Sequence, residues 1–442
     1  MDDPGFASRR GVARVRQAPL APRVLSALLW TLIAAAVLGI SILPLIYAVN
    51  NAFYAETSVG LSDVRSLAAV IDVYTSAEYL GYLAQALILA AVVTTGAMLI
   101  GVTIAVLMAR CEVPGKRVLD VMIVMPLFLS PFTGLIAWIA LASPRSGFIN
   151  VLLVPVLNAV GIEIDPLVNI WNFTGVVWVM VLFFTPYAYL FTVGSFAGMN
   201  GSLEEAARTA GASPWQGLLR VTLPLSAPAM FAAALLIFIL SAEMYTIPGI
   251  IGSTSGFTTL PWKLYQDMTS MPVRQAHAAA AGTVLLGICI LGIVIQRRMT
   301  RVSARFATIG GKGHPSRPIP LGAWRWPAFA FIVTYIAMAV VLPLATLLVS
   351  SFMKFGSGRL RLDLFSLVHY QSLFTMPDAR SALWNTIWLA GLTALICLAI
   401  GFTICYRDVR RPSPWIGGLT LAAVLPVAVP GMIYGMGLLW IY

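Results

Sequence analysis

Charge is scarce in this sequence: only 10% of its 442 residues are Asp, Glu, Lys or Arg, against about 25% in soluble globular chains. So few charges cannot clothe a water-exposed core, which excludes a cytosolic enzyme. Cysteine is scarce as well. The four residues Cys111, Cys289, Cys397 and Cys405 sit in or beside apolar segments with no metal-ligand spacing. That excludes a disulfide scaffold, and all four are expected as small buried hydrophobes. The three histidines, His277, His314 and His369, stand at no ligand spacing from one another or from a cysteine. They are expected as unrelated loop or span-end residues, with no metal centre, no cofactor and no catalytic constellation. Hydrophobic residues, by contrast, make up 59% of the chain, and mean hydropathy is +0.88. That excess excludes a disordered chain too. The sequence is that of a multi-span membrane protein.

The net charge of +11 is local rather than general. Arg297, Arg298, Arg301, Arg305, Lys312, Arg317 and Arg325 lie in one acid-free stretch, and Arg9, Arg10, Arg14, Arg16 and Arg23 lie in the N-terminal arm. Cations flanking apolar runs mark cytoplasmic ends of spans, a better account than a nucleic-acid surface. A bilayer core about 30 Å thick needs roughly 20 apolar residues per helix. Nine stretches qualify: 24–49, 82–109, 118–142, 172–197, 225–247, 276–296, 327–350, 382–406 and 417–441. They are continuous rather than alternating, which argues against β-barrel strands. The first is too long for the core of a cleaved signal peptide and is expected as an uncleaved span. Loops rich in Lys and Arg alternate with loops rich in acids or mixed in charge, placing the N-terminus in the cytoplasm. The loop at 351–381 is the weakest case, because its charges are mixed.

The sequence repeats itself. Gly101-Val-Thr-Ile104 recurs as Gly401-Phe-Thr-Ile404, Pro114 as Pro414, Met125-Pro126 as Leu425-Pro426, and Gln85 as Asn385. Leu43-Pro-Leu45 recurs as Leu342-Pro-Leu344, one residue out of that register. Several matches in order, at equivalent points of expected spans, argue against chance. Six spans in the first copy return the chain to the same side, so the repeat is parallel. The expected organisation is an all-α polytopic helix bundle: a six-span unit at 1–296, a basic cytoplasmic linker at 297–326, and three spans of a second unit at 327–442. The second copy thus stops after its third span. A gene that continues beyond Tyr442 into a second copy of the loop described next is expected.

Residues 204–224 lie between the fourth and fifth spans. Their skeleton is Glu205-Ala206-Ala207, three residues, Gly211, nine residues, then Val221, one residue, Leu223-Pro224. Asn200 or Ser202 is placed to cap a helix whose first turn carries Glu204 and Glu205, where acids suit the helix dipole. Gly211 permits a bend, and Ser213-Pro214 starts a second helix with proline in its first turn. The expected product is a rigid surface elbow. This pattern resembles the EAA loop of binding-protein-dependent ABC importer permeases, with Val in place of Ile. The resemblance implies that Glu205, Ala206, Ala207, Gly211, Val221, Leu223 and Pro224 couple the chain to an ATPase. It implies two ATPase subunits and a periplasmic or extracellular solute-binding protein as partners, in the plasma (inner) membrane of a bacterium. The chain itself is then a transport subunit rather than an enzyme. It has no G-x4-G-K-[ST] loop; Gly310-Gly-Lys312-Gly lacks the spacing.

The stretch 305–327 also resembles the linker of fused two-copy permeases of the iron(III) type, which makes ferric iron the expected cargo. Fused permeases for thiamine, phosphonates or polyamines are alternatives, as is an ion-coupled secondary transporter with parallel repeats.

Polar groups at membrane depth complete the reading. Glu243 near the outer end of the fifth span is a candidate path acid, with Tyr245 and the helix-interrupting Pro248 beside it. Gln85 and Asn385 are expected to tie helices together. Pro126, Pro131, Pro426 and Pro430 are expected to kink the third span of each copy. Trp138, Trp171, Trp178 and Trp440 are expected as interface anchors or packing.

Overall fold

A computed structural model describes residues 20–57, 60–198, 206, 209–306, 318–355 and 362–442. Leu20–Ser41 (α1) and Leu43–Asn51 (α2) form the first span, broken at Ile42, and lead to a hairpin of Tyr54–Thr57 (β1) with Gly60–Arg65 (β2). Ala68–Thr75 (α3) and the long Ala77–Arg110 (α4) follow, then Lys116–Val124 (α5), Pro131–Ala142 (α6), Phe148–Ala159 (α7) and Phe173–Ala197 (α8). Pro214–Gly217 (α9) runs through a π-turn into Leu223–Glu243 (α10); Leu260–Thr269 (α11) and Gln275–Phe306 (α12) complete this part. Beyond it come Arg325–Ile336 (α13), Leu342–Phe352 (α14), Val368–Thr375 (α15), Pro377–Arg410 (α16), Pro414–Ala428 (α17) and Gly431–Ile441 (α18). Among the described residues seven helices are long and apolar enough to cross a membrane, and two bent pairs bring the number to nine.

Helices in lipid gain nothing from apolarity alone and pack where small residues let backbones approach. The central trio α4, α8 and α10 does this. A Cβ on Gly101 would press on the Thr185 carbonyl oxygen at 2.7 Å, and one on Gly96 would meet Val181 Cγ2 at 2.8 Å. Arg110, buried at the end of α4, donates to Phe196 O at 3.4 Å, so the ends of α4 and α8 lie together. Tyr189 of α8 donates to Asp120 of α5.

Prolines shape the remaining spans. The third span is bent by 100° between α5 and α6, over a 3-10 turn at Met125–Phe128 and the extended Leu129 and Ser130. The pair α17 and α18 bends by 101° at the equivalent place. A helical proline lacks its N–H and crowds the carbonyl four residues back. Both π-turns that lead into a helix at a Leu-Pro pair, Leu218–Thr222 before Pro224 and Ala337–Val341 before Pro343, absorb that conflict.

The α-helices at 43–142 correspond in order with those at 342–441. α3 and α15 both have 8 residues, α4 and α16 both have 34. Ser66 N donates to Phe53 O at 3.0 Å, and Ser366 N to Phe352 O at 2.7 Å. The two sets also clasp each other. α1 and α2 pack on α17 and α18, while α13 and α14 pack on α5 and α6. Tyr434 Oη donates to Ile40 O at 2.7 Å, and Tyr335 Oη to Leu182 O at 3.2 Å.

Several expectations need correction. The basic stretch expected as a linker from 297 is helical to Phe306, because α12 continues through it. Residues 307–317, with His314 and the glycines around Lys312, lie outside the described residues. Ile319 then bridges to Cys111, donating to Arg110 O at 2.7 Å. Cys111 and Cys289 are buried, but Cys397 and Cys405 are exposed on α16, which carries little packing in this chain. Gln85 reaches across to accept from Thr258 N at 2.9 Å. Asn385 makes no such tie; it accepts from Trp388 in its own helix. Trp138 and Trp178 pack edge to face at 5.5 Å.

Candidate functional site

Two features at different depths carry the functional reading. The first is the elbow at one end of the bundle, beside the ends of α4 and α8. Glu205 and Ala207, together with the Asn200 and Ser202 caps, lie outside the described residues. Ala206 is helical and exposed, and its carbonyl accepts from Ala210 N at 3.1 Å. Gly211 follows at φ +88°, with nothing among the described residues within 4 Å of the position a Cβ would take. That positive φ is a backbone conformation which favours glycine. Ser213 and Gln216 then cap α9 reciprocally: Gln216 N donates to Ser213 Oγ at 3.3 Å, and Ser213 N to Gln216 Oε1 at 2.9 Å. Val221 and Leu223 are half-buried at the root, where Ser195 and Ser226 meet at 3.2 Å, and Pro224 is exposed. Trp215 is 50% and Leu219 60% exposed. The elbow is an ordered bend with an apolar outer edge, the part of the expectation that the described residues reach.

The second feature is a cavity of about 580 Å³ at the end of α10 remote from the elbow. Leu129 and Pro131 from the α5–α6 kink, Phe183, Phe184 and Tyr187 of α8, and Gly431 and Met432 from the α17–α18 kink line it. Glu243 and Tyr245 complete the wall. α10 ends at Glu243 because Met244 turns extended and Pro248 opens a π-turn. Pro248 itself is buried away from this wall. An adjoining space of about 350 Å³ shares Tyr245 and Met432 and adds Tyr265, Met268 and Met436. Tyr245 stacks on Tyr265 at 5.6 Å, and Tyr265 on Trp262 at 5.1 Å. No metal-holding group of His, Cys, Asp or Glu occurs among the described residues.

At the end opposite the elbow, the structure assembles a cluster that sequence spacing does not reveal. His277 Nδ1 meets Glu56 Oε2 at 2.7 Å and its Nε2 meets Asp72 Oδ2 at 3.2 Å, while its backbone N–H donates to Glu56 Oε1 at 3.0 Å. Arg274 lies 3.6 Å from Asp72. Burial pushes the Glu56 carboxyl up, but the His277 hydrogen bonds outweigh it and hold Glu56 below the ordinary 4.5. Nearby, Tyr79 donates to Asp267 at 2.7 Å and Lys263 pairs with it at 2.8 Å. The cluster ties the hairpin and α3 to the start of α12. His277 is thus no isolated span-end residue. His369, whose Nε2 lies 3.0 Å from Met353 O, makes a local tie.

Comparison with known proteins places these features. Over 65% of this chain and 96% of the other, the fold superposes with a TM-score of 0.50 and 15% identity on a bacterial ABC transporter involved in the import of the acidic polysaccharide alginate. The chain is 24% identical, over 60% of its length, to the Ferric transport system permease protein FbpB of Actinobacillus pleuropneumoniae, and spans only 38% of that relative. It is 28% identical, over 46% of its length and 85% of the relative, to the Molybdenum transport system permease protein ModB of Escherichia coli K12. The family described as the binding-protein-dependent transport system inner membrane component matches residues 97–302, a stretch that holds the C-terminal part of α4, α8, the elbow, α10 and most of α12. Over residues 97–302, somewhat under half of its length, the chain is therefore similar to the permease components of ABC importers.

Proposed function

We propose that the chain works as the transmembrane permease of an ATP-driven importer, with the elbow as its coupling piece and the Glu243 cavity as part of its path. The elbow carries this reading. Its EAA spacing coincides with an exposed, capped bend that leads without a break into α10. A push on α9 is transmitted along α10 to Glu243, 28 residues away at the far end of the same apolar helix. A separate ATPase supplies the force, a solute-binding protein delivers cargo to the hairpin end, and that end faces outward with the N-terminus in the cytoplasm. The correspondence of 43–142 with 342–441 supports a duplicated permease unit, with each copy's first helices clasping the other's kinked span. The cavity then lies between the two kinks, where motion of one copy against the other opens or closes it.

Ferric iron is the cargo suggested by the linker at 305–327. The relatives differ here, one being named for ferric and another for molybdenum transport. The reading is tested with Ala206→Cys in native membranes, where a short bifunctional thiol reagent is expected to join the chain to an ATPase subunit. Efficient cross-linking to lipid or self alone, with none to an ATPase, overturns it.

A further inference from the structure

Separate from the Glu243 cavity, α4 and α10 leave a groove of about 590 Å³ between them. Thr95, Leu99 and Thr103 recur every four residues along one face of α4, and Leu223, Ala227 and Ala234 mark the facing side of α10. Elsewhere α10 packs on α8 and α12, while the second set of helices packs chiefly on α1, α2, α5, α6 and α8. Leu99 and Phe231 in the groove accordingly stay exposed. On an apolar span, an exposed groove of this kind opens sideways, toward lipid.

Its lining suits hydrocarbon. Thr95 and Thr103 donate to Ala91 O and Leu99 O of their own helix at 2.8 and 2.6 Å, so both hydroxyls are already engaged. Thr94 Oγ1 has no partner among the described residues, but it is itself buried. The other lining groups are aliphatic, thioether or phenyl. From Leu223 to Ala234 is 11 residues, about 16 Å at the helical rise. That is one leaflet of a bilayer core about 30 Å thick. Arg220 lies one turn before Leu223, exposed and without an ion pair among the described residues. A cation at the head of a leaflet-deep apolar groove complements an anionic headgroup.

We propose that this groove binds an anionic phospholipid of the leaflet on the elbow side, one acyl chain lying between α4 and α10 and the phosphate meeting Arg220. The site stands independently of the coupling role proposed for the elbow.

The test is native mass spectrometry of the full chain in a neutral detergent, titrated with dioleoyl phosphatidylglycerol or dioleoyl phosphatidylcholine. The first phosphatidylglycerol is expected to bind about fivefold tighter than phosphatidylcholine, the preference that one nearby cation supplies. Arg220→Gln is expected to equalise the two lipids, while Arg220→Lys keeps the preference. Arg298→Gln, at an exposed arginine of α12, is expected to change nothing. Ala227→Phe, which fills the groove from an exposed position, is expected to weaken both lipids. Equal affinities in the wild type, or a preference that survives Arg220→Gln, overturn the site. Binding unaffected by Ala227→Phe overturns it too, as does loss of the preference in Arg220→Lys and Arg220→Gln alike. A dimer of the chain that lipid displaces and Ala227→Phe abolishes makes the groove a contact between copies and equally overturns it.

Discussion

Glu56, His277 and Gly211 each do a job that their residue type makes possible and their neighbours in sequence do not announce. His277 faces a carboxylate at each ring nitrogen. Because Glu56 is held below the ordinary carboxylate range, its share of the tie is fully present above 4.5 and fades as pH falls through the lowered value. Hydrogen exchange of residues 60–65, corrected for intrinsic rates, is therefore expected to lose protection progressively as pH is taken down from 4.5, relative to neutrality. In Glu56→Gln the loss is expected already at neutral pH. Identical protection in both proteins at both conditions would contradict the tie. No spacing rule could find this cluster, since Glu56 and His277 are 221 residues apart and meet only when α12 returns to the hairpin. Gly211 differs: its place in the EAA spacing, followed by Ser-Pro, foretold a bend, and φ +88° is the physical reason for glycine there.

At the scale of elements, apolar length made the spans legible, since a bilayer sets one threshold for all of them. The kinks at Pro126–Pro131 and Pro426–Pro430 followed from proline chemistry in the same way. The hairpin at 54–65 escaped because Thr57 to Gly60 offers no strong turn dipeptide and the strands are short. α7 escaped because its 12 residues fall below the spanning length. Helix packing was the least legible, because apolar faces look alike toward lipid and toward protein. The two Gly-x-Thr-Ile matches show it. Gly101 abuts α8, while its counterpart Gly401 has nothing within 4 Å of a Cβ. Gly101→Leu is thus expected to cost on the order of 3 kcal/mol through overpacking against Thr185 and Ala188, and Gly401→Leu close to nothing in this chain. Thermal unfolding of the two variants in the same detergent separates them. Equal melting temperatures would mean that α4 and α8 are not packed as described.

Across the whole molecule, the elbow, α10 and the cavity form one continuous line from a surface bend to a carboxylate at membrane depth. If Glu243 lines the path as proposed, Glu243→Gln is expected to reduce cargo uptake by native cells about tenfold or more while membrane insertion and ATPase retention stay normal. Wild-type uptake would return Glu243 to a structural role. The central claim, that an ATPase drives this chain through its elbow, is met most directly by Gly211→Val. Valine at φ +88° costs about 1–3 kcal/mol of backbone strain and meets nothing among the described residues within 4 Å of its Cβ, so the bundle should insert and fold as before. The measurement is the ATPase activity that co-purifies with the tagged chain from its native membranes, wild type beside Gly211→Val. The account predicts ATPase retained by the wild type and lost, with its activity, from the variant. Equal retention and equal activity in both would contradict it.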